Sequence, residues 1–140
     1  MKSISVLIAA GAAILFTTGA QALDKLGYPA RELLVTSTDV LGQPLVFPTG
    51  TVKITSAIIT IQPGGAGQLH RHDVPMYAYI LQGEITVDYG PHGTKVYRQG
   101  EAIMEAEHVP HKGMNTGDEA ASLLVVYMGV DGIANATPVK

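Results

Sequence analysis

His70 and His72 stand two residues apart in GGAGQLHRHDVPMYAYILQG, residues 64–83. Side chains of a strand alternate, so both imidazoles share one face and Arg71 takes the other. Two neutral ring nitrogens aimed at a common point are the beginning of a metal site. An isolated H-x-H pair is as often a surface feature, so further donors must be sought. Met76 does not follow by alternation. Four residues at about 3.3 Å each would carry it about 13 Å beyond His72 along a straight strand. It comes near the pair only if the chain doubles back, and Asp73-Val74-Pro75 has the chemistry of such a bend. Without a common metal, Met76 is an apolar residue opening a buried strand. His111 follows Pro110, with Gly113 and Asn115 beyond. That context suits a strand starting after a loop and bringing a third imidazole across to the first two.

The elements that must hold these residues are strands. TVKITSAIITIQPGG, from Thr51, is a β-branched run closed by Pro63-Gly64-Gly65. MYAYILQGEITVDYG gives two strands joined at Gln82-Gly83, a two-residue connection of the hairpin kind with glycine where a positive φ is wanted. GPHGT, residues 90–94, reverses the chain into KVYR. EAIMEA follows Gly100, and a loop then runs to Pro110. Ser122–Gly129, SLLVVYMG, is an almost continuous apolar strand of the buried type. Short strands separated by turns at eight- to twelve-residue intervals predict a sandwich or barrel. Residues 23–50 are rich in turn formers, with Arg31–Thr36 and Leu45–Phe47 as candidate short strands. Residues 131–140 have the composition of a loosely held tail.

Residues 1–22 have the make-up of a secretory signal peptide. Lys2 supplies the positive end, Ile4–Phe16 an apolar stretch, and Ala20-Gln21-Ala22 a small-x-small cleavage site. The apolar stretch is too short for a comfortable membrane span. The expectation is a periplasmic or secreted protein with no stable membrane insertion after cleavage. The formal charge is −3, and loss of Lys2 would make it −4. No basic stripe is present, which argues against a nucleic-acid partner. There is no cysteine, so the core must hold the fold without disulfides, and a metal would be bound by nitrogen, oxygen or thioether donors.

The two histidine segments resemble the two motifs of the cupin superfamily. The first motif runs glycine, five residues, H-x-H, three or four residues, glutamate, six residues, glycine. Gly64, His70, His72 and Gly83 match it, and the glutamate position falls on Met76. The second runs glycine, five residues, P-x-G, two residues, histidine, three residues, asparagine. Gly100, His111 and Asn115 match in register, whereas the proline and glycine positions fall on Ala106 and His108. Sixteen residues separate Gly83 from Gly100, similar to the spacer of small bacterial cupins. The resemblance spans roughly residues 51–129. It implies an all-β jelly-roll barrel, a double-stranded β-helix, over residues 51–130. This would be one domain after the signal peptide, preceded by the strands and turns of residues 23–50 and followed by the tail. It also implies a divalent metal inside the barrel, held by His70, His72 and His111, with a thioether at Met76 where the family has a carboxylate.

A carboxylate favours hard ions, whereas a neutral, soft thioether suits copper, above all Cu(I). If Met76 ligates, copper is the favoured ion. If it only lines the pocket, as methionine often does, three histidines remain. Such a site holds iron, zinc or copper with positions open to a small-molecule ligand or substrate. Some cupin dioxygenases resemble that arrangement, so an exported metal-binding protein and a metal-dependent oxygenase are both candidate functions. No catalytic residue is marked by the sequence, and the fold does not choose between them. Secondary candidates are weaker. His108 is expected in a loop, and His92 in a solvated turn. Tyr77 and Tyr79 should face away from the site, Glu105 and Glu107 should lie on a solvated loop face, and Met104, Met114 and Met128 should be core. The resemblance also makes a homodimer plausible, with residues 23–50 supplying an exchanged or edge strand.

Overall fold

The computed structural model describes residues 27–140, so the signal peptide expected at residues 1–22 lies outside the described residues. The chain divides into two units, Met1–Glu32 and Leu33–Lys140. In the first, the described residues 27–32 carry no strand or helix. Every described element lies in the second.

Its strands are β1 (Val52–Ile61), β2 (His70–Arg71), β3 (Met76–Gln82), β4 (Glu84–Asp88), β5 (Thr94–Arg98), β6 (Ala102–Met104), β7 (Lys112–Met114), β8 (Ala121–Val130) and β9 (Thr137–Pro138), with a 3₁₀ turn at Gly90–His92. They form a four-stranded sheet in the order β1-β8-β3-β6, a three-stranded sheet β5-β4-β7 and the pair β2-β9, and every pairing is antiparallel. This is the all-β jelly roll that the sequence implied. Among the described residues no helix is long and apolar enough to cross a membrane.

The core lies between the two larger sheets. Met76, Ala78 and Ile80 of β3 and Leu123 and Val125 of β8 meet Ile85 and Val87 of β4 and Tyr97 of β5. Alternation places Tyr77 and Tyr79 on the opposite face of β3, where both are half-buried. Complete burial of an Ile80 or Val125 side chain is worth about 1.5–3 kcal/mol. With no cysteine in the chain, such burial is what holds the sheets together.

Three expectations are corrected. First, β3 and β4 do not form a hairpin across Gln82-Gly83. They belong to different sheets. The β3–β8 register shifts between Ile80 and Gln82, and Gly83, at φ +69°, turns the chain out of one sheet into the other. A β-carbon there would meet the Ala120 carbonyl oxygen at 2.8 Å, so glycine is required, though for a corner.

Second, Arg31–Thr36 and Leu45–Phe47 form no strand; only an isolated bridge joins Thr38 to Pro44. Side chains organise this segment instead. Asp39 Oδ1 accepts hydrogen bonds from the Leu41 and Gln43 amides at 2.8 and 2.9 Å, a local competitor to strand pairing.

Third, the tail is docked. β9 pairs with β2, Val139 N donates to Leu69 O at 3.0 Å, and Thr137 Oγ1 donates to Asp73 Oδ2 at 2.8 Å.

Candidate metal centre

His70 and His72 sit at the end of the loop that follows β1, and His111 stands just before β7. His70 and His111 form an antiparallel bridge. Their backbones exchange two hydrogen bonds, His70 N to His111 O at 3.0 Å and the reverse at 2.8 Å. Directly opposed residues project to the same side, and the two ring centroids lie 4.7 Å apart. His72, two residues on, reaches the same face, 4.9 Å from His70 and 5.0 Å from His111. His72 and His111 are buried and His70 is half-buried.

Each ring is oriented through its Nδ1. His70 Nδ1 lies 2.8 Å from Gln68 O, His72 Nδ1 2.9 Å from Asn135 O, and His111 Nδ1 2.8 Å from Val109 O. A carbonyl oxygen only accepts, so each Nδ1 carries a proton, and in the neutral ring Nε2 holds the lone pair. The donor nitrogens of the three rings lie within 4.8 Å of one another. Burial, reinforced by the neighbouring His111 and His70, lowers the His72 pKa to about 4, against the raising effect of the Asn135 hydrogen bond and Asp73. Neutral imidazoles with Nδ1–H bound to carbonyls are the form in which histidine binds metals.

The histidines open into a cavity of about 170 Å³. Its walls are apolar: Ile59 and Ile61 of β1, Met76 of β3, Ile85 and Val87 of β4, and Leu123 and Val125 of β8, with Tyr127 beside His72. Ile59 and Gly67 are the exposed lining residues and mark the mouth. The bend at Asp73-Val74 does turn the chain back, so Met76 shares the cavity with the three histidines.

Glu105 and Glu107 are not on a solvated face; both are buried. Glu105 lines the cavity. Its Oε1 accepts hydrogen bonds from Tyr89 Oη at 2.6 Å and from the Ala106 amide at 2.9 Å, and its Oε2 lies 4.0 Å from His111 Nε2. Burial, then the charge of Glu105, pushes the Tyr89 phenol well above its ordinary pKa. Tyr97, pushed up to about 12 mainly by burial, lies 3.1 Å from Tyr89 Oη. Since the Tyr89 proton goes to Glu105, Tyr97 donates to Tyr89. Glu107 accepts from Val46 N at 3.3 Å through Oε2, while its Oε1 has no hydrogen-bond partner. Burial raises its pKa.

Tyr89, Tyr97 and Asn135 were not singled out in the sequence. Strand parity was an available signal for Glu105, because it shares a face with the inward Ile103. Nothing local marks Asn135, which acts through its backbone carbonyl.

The other candidates fall outside the cavity. His108 is an exposed loop residue at φ +59°, its Nδ1 3.5 Å from Asp73 Oδ1. His92 is exposed in the 3₁₀ turn, Met104 is buried, and Met114 and Met128 are half-buried. Asn115 is buried and closes the β7–β8 loop. Its Nδ2 donates to Ile61 O at 2.8 Å and Glu119 O at 2.7 Å, and its Oδ1 accepts from Gly117 N at 3.0 Å.

The fold and the histidine triad define a β-barrel protein with a nitrogen-donor site inside the barrel. The family model for the cupin domain matches residues 57–127, and the chain belongs to the cupin family. Among solved structures it is similar to the polyketide cyclase RemF of Streptomyces resistomycificus, at 22% identity and a TM-score of 0.54 over 62% of this chain and 61% of that one. It is also similar to the formate complex of an oxalate decarboxylase of Lactobacillus farciminis, at 27% identity and a TM-score of 0.53 over 61% of this chain and 26% of the other. A third similar structure is an oxalate oxidase in complex with the substrate analogue glycolate, at 20% identity and a TM-score of 0.52 over 61% and 46%. The matched region spans less than two thirds of each of these proteins. No curated protein matches the chain significantly.

Proposed function

We propose that this protein is an exported cupin that binds one metal ion through His70, His72 and His111. The observation that carries the reading is the set of three Nδ1–H···O=C hydrogen bonds, which leaves three converging Nε2 lone pairs. Three neutral imidazoles suit copper, zinc or iron. Copper is the favoured ion if the Met76 thioether joins them. With Met76 as wall only, the ion keeps open positions facing the cavity. Export rests on the composition of residues 1–22.

The second reading is a metal-dependent oxygenase acting on a small organic molecule, and the apolar cavity favours it. About 170 Å³ is below the roughly 300–1,000 Å³ of common ligand pockets, so the occupant would be small. No lysine or arginine lines the cavity, so an anionic occupant would pair with the charge of the metal ion itself.

A second copy of the chain is the proposed partner. β1 lies at an edge of its sheet, and Val52, Ile54 and Ile58 are exposed. An antiparallel strand can pair with its own two-fold copy, which would satisfy its open backbone groups and cover these side chains.

The metal reading is tested by mass-spectrometric metal analysis of protein purified from the exported fraction without added metal or chelating resin. Near-stoichiometric copper, iron or zinc is expected. Metal-free protein that also fails to bind on reconstitution would overturn it.

A further inference from the structure

The chain beyond β8 is held by hydrogen bonds that converge on one place. Asn135 O accepts from His72 Nδ1 at 2.9 Å, Thr137 Oγ1 donates to Asp73 Oδ2 at 2.8 Å, and Val139 N donates to Leu69 O at 3.0 Å. Their partners all lie between Leu69 and Asp73, the segment that carries His70 and His72, and β9 pairs with β2 within it. Among the described residues, no side chain beyond Val130 belongs to the buried core. The tail therefore docks through hydrogen bonds of modest net worth rather than through apolar burial. Segments held in that way open locally while the rest of the fold stays closed.

His72 couples this docking to the metal site. Its ring is buried, and the Asn135 carbonyl takes its Nδ1 proton. In the metal-free chain the ring is free to turn when the tail leaves, and the proton finds another partner. A metal on Nε2 fixes the ring, so undocking then strands a buried N–H without an acceptor, which is costly. Coordination also polarises the imidazole and strengthens the Nδ1–H···O=C bond. Both effects have the same sign. We propose that residues 134–140 form a metal-controlled strap, closed over β2 when the site is loaded and released more readily when it is empty. The inference rests on the three-histidine reading above. It gives the tail a regulatory part, because the metal-free chain opens its C-terminal strand to proteolysis more often than the loaded one.

The test is amide hydrogen exchange of the intact protein, read by NMR with and without saturating Zn(II), with zinc binding measured separately by calorimetry. The Val139 amide reports on the strap and the β8 amides on the core. Without metal, Val139 should exchange faster than β8. Zinc should slow the Val139 amide by about 10- to 100-fold, the range for groups that orient metal-bound histidines. The Gly93 amide, bonded to Gly90 O in the 3₁₀ turn, should be indifferent to zinc. Linkage is reciprocal, so removing the residues after Ile133 should lower zinc affinity by the same factor. An unchanged Val139 rate in zinc-loaded protein would overturn the proposal. So would a Val139 amide as protected as β8 in metal-free protein, because the strap would then never open by itself. Failure of the wild-type protein to bind Zn(II), Co(II) or Cu(I) would overturn the three-histidine reading itself.

Discussion

His70 and His111 face each other on an antiparallel bridge and exchange both backbone hydrogen bonds, at 3.0 and 2.8 Å. Residues 41 apart in sequence are thereby locked as cross-strand partners by groups that no side-chain substitution removes. The two halves of the histidine site are joined through the backbone, and the rings only complete it. His111→Ala should therefore leave the fold intact and lower metal affinity by two orders of magnitude or more, on the order of the largest effects seen at metal sites. Circular dichroism and metal titration of the same preparation check both halves of this expectation.

Removing the tail should weaken the site without removing a ligand. Asn135 O holds His72 Nδ1–H at 2.9 Å, and β9 is pinned to β2. A chain ending at Ile133 frees the His72 ring to rotate, and a loss of about 10–100-fold in metal affinity is expected. Unchanged affinity in the truncated protein would exclude this role for Asn135.

Metal-free stability should fall on acidification. His72 has a folded pKa of about 4, mainly through burial, against an ordinary value of 6.5. Its contribution is complete above pH 6.5. Between pH 6.5 and 4 the unfolded chain binds a proton that the folded chain does not, so the contribution is lost as the pH falls. The loss reaches about 3 kcal/mol by pH 4. Urea midpoints at pH 7.5 and 4.5 measure it, and His72→Asn should show a smaller drop. Equal drops in the two proteins would remove His72 as the source.

Gly83→Ala should destabilise the barrel by about 1–3 kcal/mol. The new β-carbon combines a positive φ with a 2.8 Å approach to the Ala120 carbonyl oxygen. Because Gly83 is the corner between two sheets, the strain falls on both. Thermal melts against wild type supply the measurement, and an unchanged midpoint would show that the corner relaxes freely.

The exposed face of β1 should mediate self-association. Ile54→Lys combined with Ile58→Lys is expected to convert a dimer to a monomer in light scattering coupled to size-exclusion chromatography. Both side chains are exposed, so the substitutions should not disturb the core. A wild-type monomer at all concentrations would end the proposal.

Much of the site was legible in the chain itself. Strand alternation placed His70 and His72 on one face, Asp73-Val74-Pro75 signalled the bend that returns Met76, and the motif spacing aligned His111 with them. These are local properties, since alternation and turn chemistry depend on a few adjacent residues. Glu105 was not legible. A carboxylate beside a loop is ordinarily solvated, and its burial here relies on Tyr89, sixteen residues away, together with the Ala106 amide. The Gln82-Gly83 corner has the composition of a hairpin, because glycine's positive φ serves both, and only the sheet partners distinguish them. The tail shows no strand signal, yet it pairs with β2 because the barrel offers it open backbone groups there. The sequence by itself determined which side chains could bind a metal and which way the strands present them. Tertiary structure alone decided which carboxylate shares their cavity and that the Asn135 carbonyl orients His72, because those contacts join segments far apart in the chain.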